Sequence, residues 1–361
     1  MLTIHQIIIT HFKNYELSTF KFKGNIIGIC GLNGIGKTNL LDAIYYSCFT
    51  KSYFSSSDML NIKSHKSGFR IEADLSLFND AFKVVCIHKG QNKKELFVNE
   101  NLIEKRSTHI GRFPAVMIAP DDIEIIIGSG EMRRKYLDII LCQLDKEYLQ
   151  QLIIYNKLLQ QRNSHLKNEA DLKKPDDALL DILDAQLVYP GNYIFEKRKN
   201  FTLGLLPLIN QLYNEIAAKS EQIQLTYESH LLDNAIENLL HKNRSRDRIL
   251  QRTQHGIHKD DIKFLLGNQI FKLTASQGQR KSLLFALKLA EFESIKKQKG
   301  FAPLLLLDDL FEKLDNKRMS NLLKWVSKEN NGQIFITDTD KDRLERVFSE
   351  IGINCNIIDL I

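Results

Sequence analysis

Gly31-Leu32-Asn33-Gly34-Ile35-Gly36-Lys37-Thr38 is the stretch on which the fold of this 361-residue chain turns. It fits G-x-x-x-x-G-K-[ST], in which backbone N–H groups wrap the phosphates of a nucleotide, the lysine neutralises their charge and the hydroxyl holds Mg²⁺. Its flanks agree. Asn25 to Cys30 (NIIGIC) predicts a short buried strand, and Asn39 to Phe49 (NLLDAIYYSCF) predicts a helix. The glycines permit the tight turn, and the helix start brings partial positive charge to where phosphates would sit. Ordinary Gly and Lys usage would produce the pattern by accident only about once in a hundred chains of this length.

Two later stretches add to it. Pro303-Leu304-Leu305-Leu306-Leu307-Asp308-Asp309 is an unbroken apolar run closed by two carboxylates. Such runs are strands buried on both faces of a parallel sheet, whose C-terminal ends border the ligand crevice. Asp308 is then placed to bind a Mg²⁺ that bridges phosphates, and Asp309 to orient or deprotonate a water. Ala275-Ser276-Gln277-Gly278-Gln279 opens a predicted helix from Gln279 to about Gln298. The free N–H groups of its first turn, with Ser276, suit a second anion or an ordinary helix cap.

The rest of the chain falls into three parts. Residues 2–119 are β-like around the phosphate-loop helix, with strands predicted at 2–12, 15–23, 69–78 and 82–87, a hairpin at 95–103 and a strand at 112–119. From Glu131 to about His255 the pattern is helical, broken at Asn168 to Asp177 and at Pro190-Gly191, with helices of about 20–35 residues and no sustained heptads. Strands return at Asp261 to Leu273, Pro303 to Leu307 and Gln333 to Thr337, with a helix at Lys317 to Lys328. The net charge of +6 is compatible with a nucleic-acid partner without requiring one. Five scattered cysteines predict neither zinc site nor disulfide framework. With no signal-peptide pattern and no run near the ~18 apolar residues of a membrane span, a soluble, cytoplasmic protein is expected.

In this order the pieces resemble the ATP-binding cassette superfamily, and in finer detail the RecF family of bacterial recombination mediators, relatives of the SMC proteins. The likeness runs through Phe12-Lys13-Asn14-Tyr15, Gly31 to Leu41, Ala119-Pro120-Asp121-Asp122, Gly128 and Arg133-Arg134-Lys135-Tyr136-Leu137-Asp138. It continues through His258-Lys259-Asp260-Asp261, Ala275 to Arg280, Leu307-Asp308-Asp309, Leu314-Asp315 and Phe335-Ile336-Thr337. The implied fold class is α/β: an ABC-type P-loop ATPase head with an antiparallel β subdomain and an inserted α-helical domain. The expected division is 1–130 and 256–361 for the head and 131–255 for the insert.

The resemblance implies a weak ATPase that binds ATP through Gly31 to Thr38 and Mg²⁺ through Thr38 and Asp308, with Lys37 and Asp309 as catalytic residues. It also implies an ATP-dependent homodimer in which Ser276, Gly278 and Gln279 reach the γ-phosphate bound by Lys37 and Thr38 of the partner subunit. Its members bind single- and double-stranded DNA at gaps or junctions, work with RecR and RecO, and act in repair, replication-fork maintenance and the SOS response. The chain departs from the wider pattern at several places. Asp309 stands where most cassette ATPases have Glu, so slow hydrolysis is expected. No switch histidine follows Thr337, a place Thr337 or Thr339 would take. Lys259 and Ile257 replace the usual Arg and Pro, and no glutamine-loop residue is placed. DNA-phosphate contacts are expected among Lys51 to Lys66, Arg133-Arg134-Lys135, and Lys242, Arg244, Arg246, Arg248 and Arg252. A transporter motor subunit and an SMC-like tether are the competing readings. The first is disfavoured by the helical insert and the second by the absence of long heptad arms.

Overall fold

A computed structural model describes residues 1–90, 93–172, 176–217, 221–309, 321–322, 325, 332–350, 352 and 355–360. Its first stretch runs β1 (Leu2–Thr10), β2 (Leu17–Lys21), β3 (Ile26–Cys30), α1 (Lys37–Phe49), β4 (Phe69–Leu77), β5 (Asp80–His88), β6 (Lys94–Val98), β7 (Asn101–Leu102) and β8 (Ala115–Ile118). Then come α2 (Glu124–Ile127), α3 (Gly130–Leu144), α4 (Lys146–Leu172), α5 (Asp177–Ala217), β9 (Ile223–Glu228), α6 (Ile236–Lys242), α7 (Arg244–Leu250), β10 (Asp261–Leu266), β11 (Gln269–Ile270) and α8 (Phe271–Thr274). The chain closes with α9 (Gln277–Lys299), β12 (Leu304–Leu307), β13 (Ile334–Asp338), α10 (Lys341–Glu350) and β14 (Asn356–Asp359). Leu314-Asp315 and most of the helix expected at Lys317 to Lys328 lie outside the described residues.

The chain divides into two compact units, one of Met1–Asp122, Leu212–Lys219 and Gln277–Ile361, the other of Ile123–Gln211 and Ser220–Ser276. In the first, a six-stranded antiparallel sheet runs β2-β1-β4-β5-β6-β7 and a five-stranded parallel sheet runs β14-β3-β13-β12-β8. Strands β3, β8, β12 and β13 are buried throughout, the last including the polar Thr337 and Asp338 at its C-terminal end. Each fully buried leucine of β12 contributes about 2 kcal/mol of transfer free energy. Helix α1 packs against β4 and β5 of one sheet and β8 and β13 of the other. That enclosure is why its apolar residues go all the way round.

The second unit is helical with a small three-stranded sheet, β11-β10-β9. The stretch 256–276, expected in the head, therefore clusters with the insert, because β10 pairs with β9 along its whole length. Pro190-Gly191 does not break the helix: α5 runs unbroken for 41 residues and exceeds the predicted limit. Gly191 is a packing residue, since a Cβ there would lie 2.5 Å from the Ile236 Cδ1 of α6. The predicted strand end at 271–273 is the short helix α8 instead.

Candidate nucleotide-binding site

All strands of the five-stranded sheet are parallel, so their C-terminal ends share one edge. The phosphate-loop sequence leaves β3 at that edge, and Asp308 leaves the same edge from β12, two strands away across β13. Lys37 is only 4 % exposed. Its Nζ donates to the carbonyls of Gly31 at 2.8 Å and Leu32 at 3.1 Å, folding the cation over the loop. The Thr38 hydroxyl lies 2.9 Å from both carboxylate oxygens of Asp308. Residues 270 positions apart are thereby joined.

Burial pushes the Asp308 carboxyl up to about 6, and neighbouring Asp309 adds to the rise while hydrogen bonds from Thr337 and Thr38 oppose it. A buried carboxylate facing a threonine hydroxyl is an oxygen donor pair suited to a hard divalent cation. Among the described residues no three His, Cys, Asp or Glu side chains gather as a metal site. Thr337 is fully buried, accepts from the Asp309 N–H at 2.8 Å and donates to Asp308 at 2.9 Å. It therefore braces both carboxylate residues from β13. Asp309 itself is held in the left-handed region at φ 46°.

Sequence reasoning missed the braces of the loop. Gly36, at φ 121°, is pressed by Asn14 and Tyr15, and a Cβ there would lie 2.6 Å from Asn14 Nδ2. Asn14 donates to the Ile35 carbonyl at 2.8 Å and Tyr15 to the Gly36 carbonyl at 3.0 Å, while Lys13 pairs with buried Asp42 of α1 at 2.6 Å. Phe12-Lys13-Asn14-Tyr15 is thus a clamp on the loop, and only the family resemblance at these residues hinted at it. A cavity of about 370 Å³ beside the clamp is lined by Tyr15, Ser18, Thr19, Phe20, Ile35, Asp359 and Leu360. Ser276 is exposed immediately before α9, whose first residues are Gln277, Gly278 and Gln279, with Gly278 and Gln279 half-buried.

The second unit corrects two of the expected DNA contacts. Arg133 is 6 % exposed and grips Asp261 with Nε at 2.7 Å and Nη2 at 3.0 Å, with Nη1 on the Gly128 carbonyl at 3.0 Å. Arg134 donates to the Asp260 carbonyl at 2.6 Å. Asp138, at the end of the same motif, accepts from Arg198 Nη2 at 2.8 and 3.0 Å, and Arg198 also reaches the Ile257 carbonyl and Asp260. The two motifs therefore bind each other through Arg133 and Arg134, while Lys135 and Lys259 stay exposed. His258 joins them: Nε2 donates to the Thr253 carbonyl at 3.1 Å, leaving Nδ1 to accept from Tyr155 at 2.9 Å. Burial holds that imidazole down at about 4, so it is neutral.

In the second basic cluster, Arg244 is spent on Asp181 and Asp184, and Arg248 on Glu169 and Asp177. Lys242, Arg246 and Arg252 are exposed. Lys63 and Lys66 share Glu16, at 3.2 and 2.7 Å. Arginine spacing along a chain does not report which of these fates applies. Replacing Arg198 by Met would leave buried Asp260 and half-buried Asp138 without their cation. It is expected to destabilise the protein by about 3–5 kcal/mol. The urea midpoint checks this, and an unchanged midpoint would mean that the cluster is solvated.

Residues 3–356 match the family model described as RecF/RecN/SMC N terminal domain. The chain is 42 % identical over 344 residues to the DNA replication and repair protein RecF of Flavobacterium johnsoniae, covering 95 % of this chain and 96 % of that one. It is 38 % identical over 352 residues to that of Bacteroides fragilis, covering 97 % and 94 %. Among solved structures, one described as the recombination mediator protein RecF with ATP in the RecFOR pathway superposes with TM-score 0.87 at 31 % identity, covering 94 % of this chain and 92 % of that one. An Smc head domain from Pyrococcus furiosus superposes with TM-score 0.53 at 17 % identity over 96 % and 92 %, a likeness of fold alone.

Proposed function

The chain belongs to the RecF family within the RecF/RecN/SMC group, and from that premise we propose that it is an ATP-gated, DNA-binding recombination mediator of DNA repair and replication. The observation that carries the reading is the meeting of Thr38 and Asp308 beside the folded-over Lys37. The loop N–H groups from Gly31 to Thr38 hold the triphosphate, and Lys37 swings from the loop carbonyls to the β- and γ-phosphates. Thr38 and Asp308 hold Mg²⁺, which when bound spreads the charge that develops on the γ-phosphate. The adenine ring takes the cavity between Tyr15, Phe20 and Ile35.

Asp309 accepts a proton from the attacking water as its oxygen bonds to the γ-phosphorus and the β–γ bridging bond breaks, giving ADP and phosphate. A carboxylate one methylene shorter than Glu stands further from that water, so turnover is slow. Ser276, Gly278 and Gln279 at the start of α9 grasp the γ-phosphate bound by a second copy, making ATP the glue of a homodimer and hydrolysis its release. No helix among the described residues is long and apolar enough to cross a membrane. RecR- and RecO-like proteins are the expected partners, and the SOS response the setting.

DNA is held through phosphates by cations that are not already spent, foremost Lys242, Arg246 and Arg252. Sedimentation with and without ATP and gapped DNA tests the whole. ATP should convert monomer to dimer, and DNA affinity should fall steeply with salt, by about tenfold or more between 50 and 200 mM. A protein that stays monomeric with ATP, or binds DNA equally at both salts, contradicts the proposal.

A further inference from the structure

Three stretches far apart in the first unit meet in a largely buried charged cluster. Tyr53, just past α1, donates its hydroxyl to Asp122, which follows β8. Lys288 of α9 donates to the same hydroxyl at 3.1 Å and lies 3.5 Å from Asp122 and 3.7 Å from Glu291, one turn further on. The side chains of Lys288 and Glu291 are 3 % and 2 % exposed. The second oxygen of Asp122 takes the Ala119 N–H at 2.8 Å. Tyr53 in turn reaches α1 through its backbone, its N–H donating to Asp42 at 2.8 Å, and Asp42 also accepts from Ser52 and pairs with Lys13. One polar chain thus runs from the loop clamp through α1 to the middle of α9.

Apolar side chains of similar volume usually match or better the stability of such a buried charge cluster. Here the cost is plain, because one Glu291 oxygen has no hydrogen-bond partner and burial pushes that carboxyl up to about 7 against the pull of Lys288. No atom of the cluster belongs to the nucleotide site described above. What directional bonds supply and apolar packing does not is register, since helices in purely apolar contact can slide and rotate. Lys288 is eleven residues past Gln277, about three turns into α9. Holding Lys288 against Tyr53 and Asp122 therefore fixes the first turn of α9 relative to α1, whose own first turn begins with Lys37 and Thr38 of the phosphate loop.

We propose that the Lys288–Tyr53–Asp122 cluster is a positioning element that registers α9 on α1, so that the two phosphate-grasping helix starts present one surface to a second copy of the chain. This rests on the ATP-gated dimer proposed above. Neither Tyr53 nor Lys288 touches phosphate; each acts through the helix it holds.

Tyr53→Phe removes one oxygen and keeps the ring packed edge-on to Tyr45 at 5.0 Å. Lys288→Met removes the cation at similar volume. Each variant and the double variant are compared with the parent protein by melting temperature, ATP affinity and ATP-dependent dimer affinity from sedimentation. The expected result is a split: ATP affinity within about twofold of the parent, and dimer affinity weaker by about tenfold or more. The double variant should be no worse than Lys288→Met alone, because one network is lost once. Unchanged dimer affinity in Tyr53→Phe overturns the inference, as does a fall in ATP and dimer affinities together in step with melting temperature. If Lys288→Met does not fold, Tyr53→Phe decides alone. A parent protein that never dimerises with ATP defeats the dimer reading and takes this inference with it. A parent that dimerises, matched by an equally dimeric Tyr53→Phe, defeats this inference only.

Discussion

Lys37→Met abolishes measurable ATP binding while leaving the fold intact. The amine lies under the loop, 2.8 and 3.1 Å from the Gly31 and Leu32 carbonyls, at the N-terminal end of α1. A triphosphate entering there brings close to four negative charges, and the helix start offers only about half a positive charge against them. A hydrogen bond to a charged group contributes about 1.5–3 kcal/mol, and Lys37 can make two or more to the β- and γ-phosphates. Losing them weakens binding by at least about 3 kcal/mol, or more than a hundredfold. Methionine fills nearly the same volume, and Leu32 is exposed, so water can take over its carbonyl. The melting temperature without nucleotide is therefore expected to change little. Titration calorimetry with ATP and Mg²⁺ reads the effect, and affinity within tenfold of the parent protein would refute the assignment of the loop.

The nucleotide site was legible in the sequence because its parts are carried by local patterns. A strand, a glycine turn and a lysine lie within a dozen residues, and the four leucines of β12 announce a doubly buried strand whose end must carry Asp308 to the same edge. Much of the rest depends on pairs that local pattern cannot show. Arg133 and Asp261 are 128 positions apart, and an arginine destined for a buried carboxylate looks like one destined for DNA. Tyr155 and His258, or Tyr53 and Lys288, carry no periodic signal at all. Pro190-Gly191 misled for a different reason. Local propensity favours a break there, but close approach of Ile236 to Gly191 and the burial of one face of α5, through Leu183, Leu187, Ile194 and Phe195, outweigh the lost backbone hydrogen bond. Asn14 and Tyr15 fall between these cases: their motif marked them as important, and the Gly36 geometry is needed to say why.

Ser276→Arg separates nucleotide binding from dimer formation. Lys37 and Thr38 take their contacts from Gly31, Leu32 and Asp308, so ATP affinity of the monomer should stay within about twofold. The serine itself is exposed, immediately before the first turn of α9. Two effects of the new side chain oppose each other. Its guanidinium is drawn to a phosphate, which favours association at a distance. At contact, however, it replaces a hydroxyl in a space sized for one, and overpacking a close-fitting site costs about 1–3 kcal/mol. The lost hydroxyl–phosphate bond removes about 1.5–3 kcal/mol more. Attraction across exposed, salt-screened charges is worth less than about 1 kcal/mol, so the steric and hydrogen-bond losses win. ATP-dependent dimerisation should weaken by about a hundredfold or more, and Ser276→Ala, which loses only the bond, by roughly tenfold. The order parent, Ala, Arg in dimer affinity at constant ATP affinity is what a shared triphosphate requires. Sedimentation that finds ATP-driven dimers of Ser276→Arg at parental strength would place the start of α9 outside the interface.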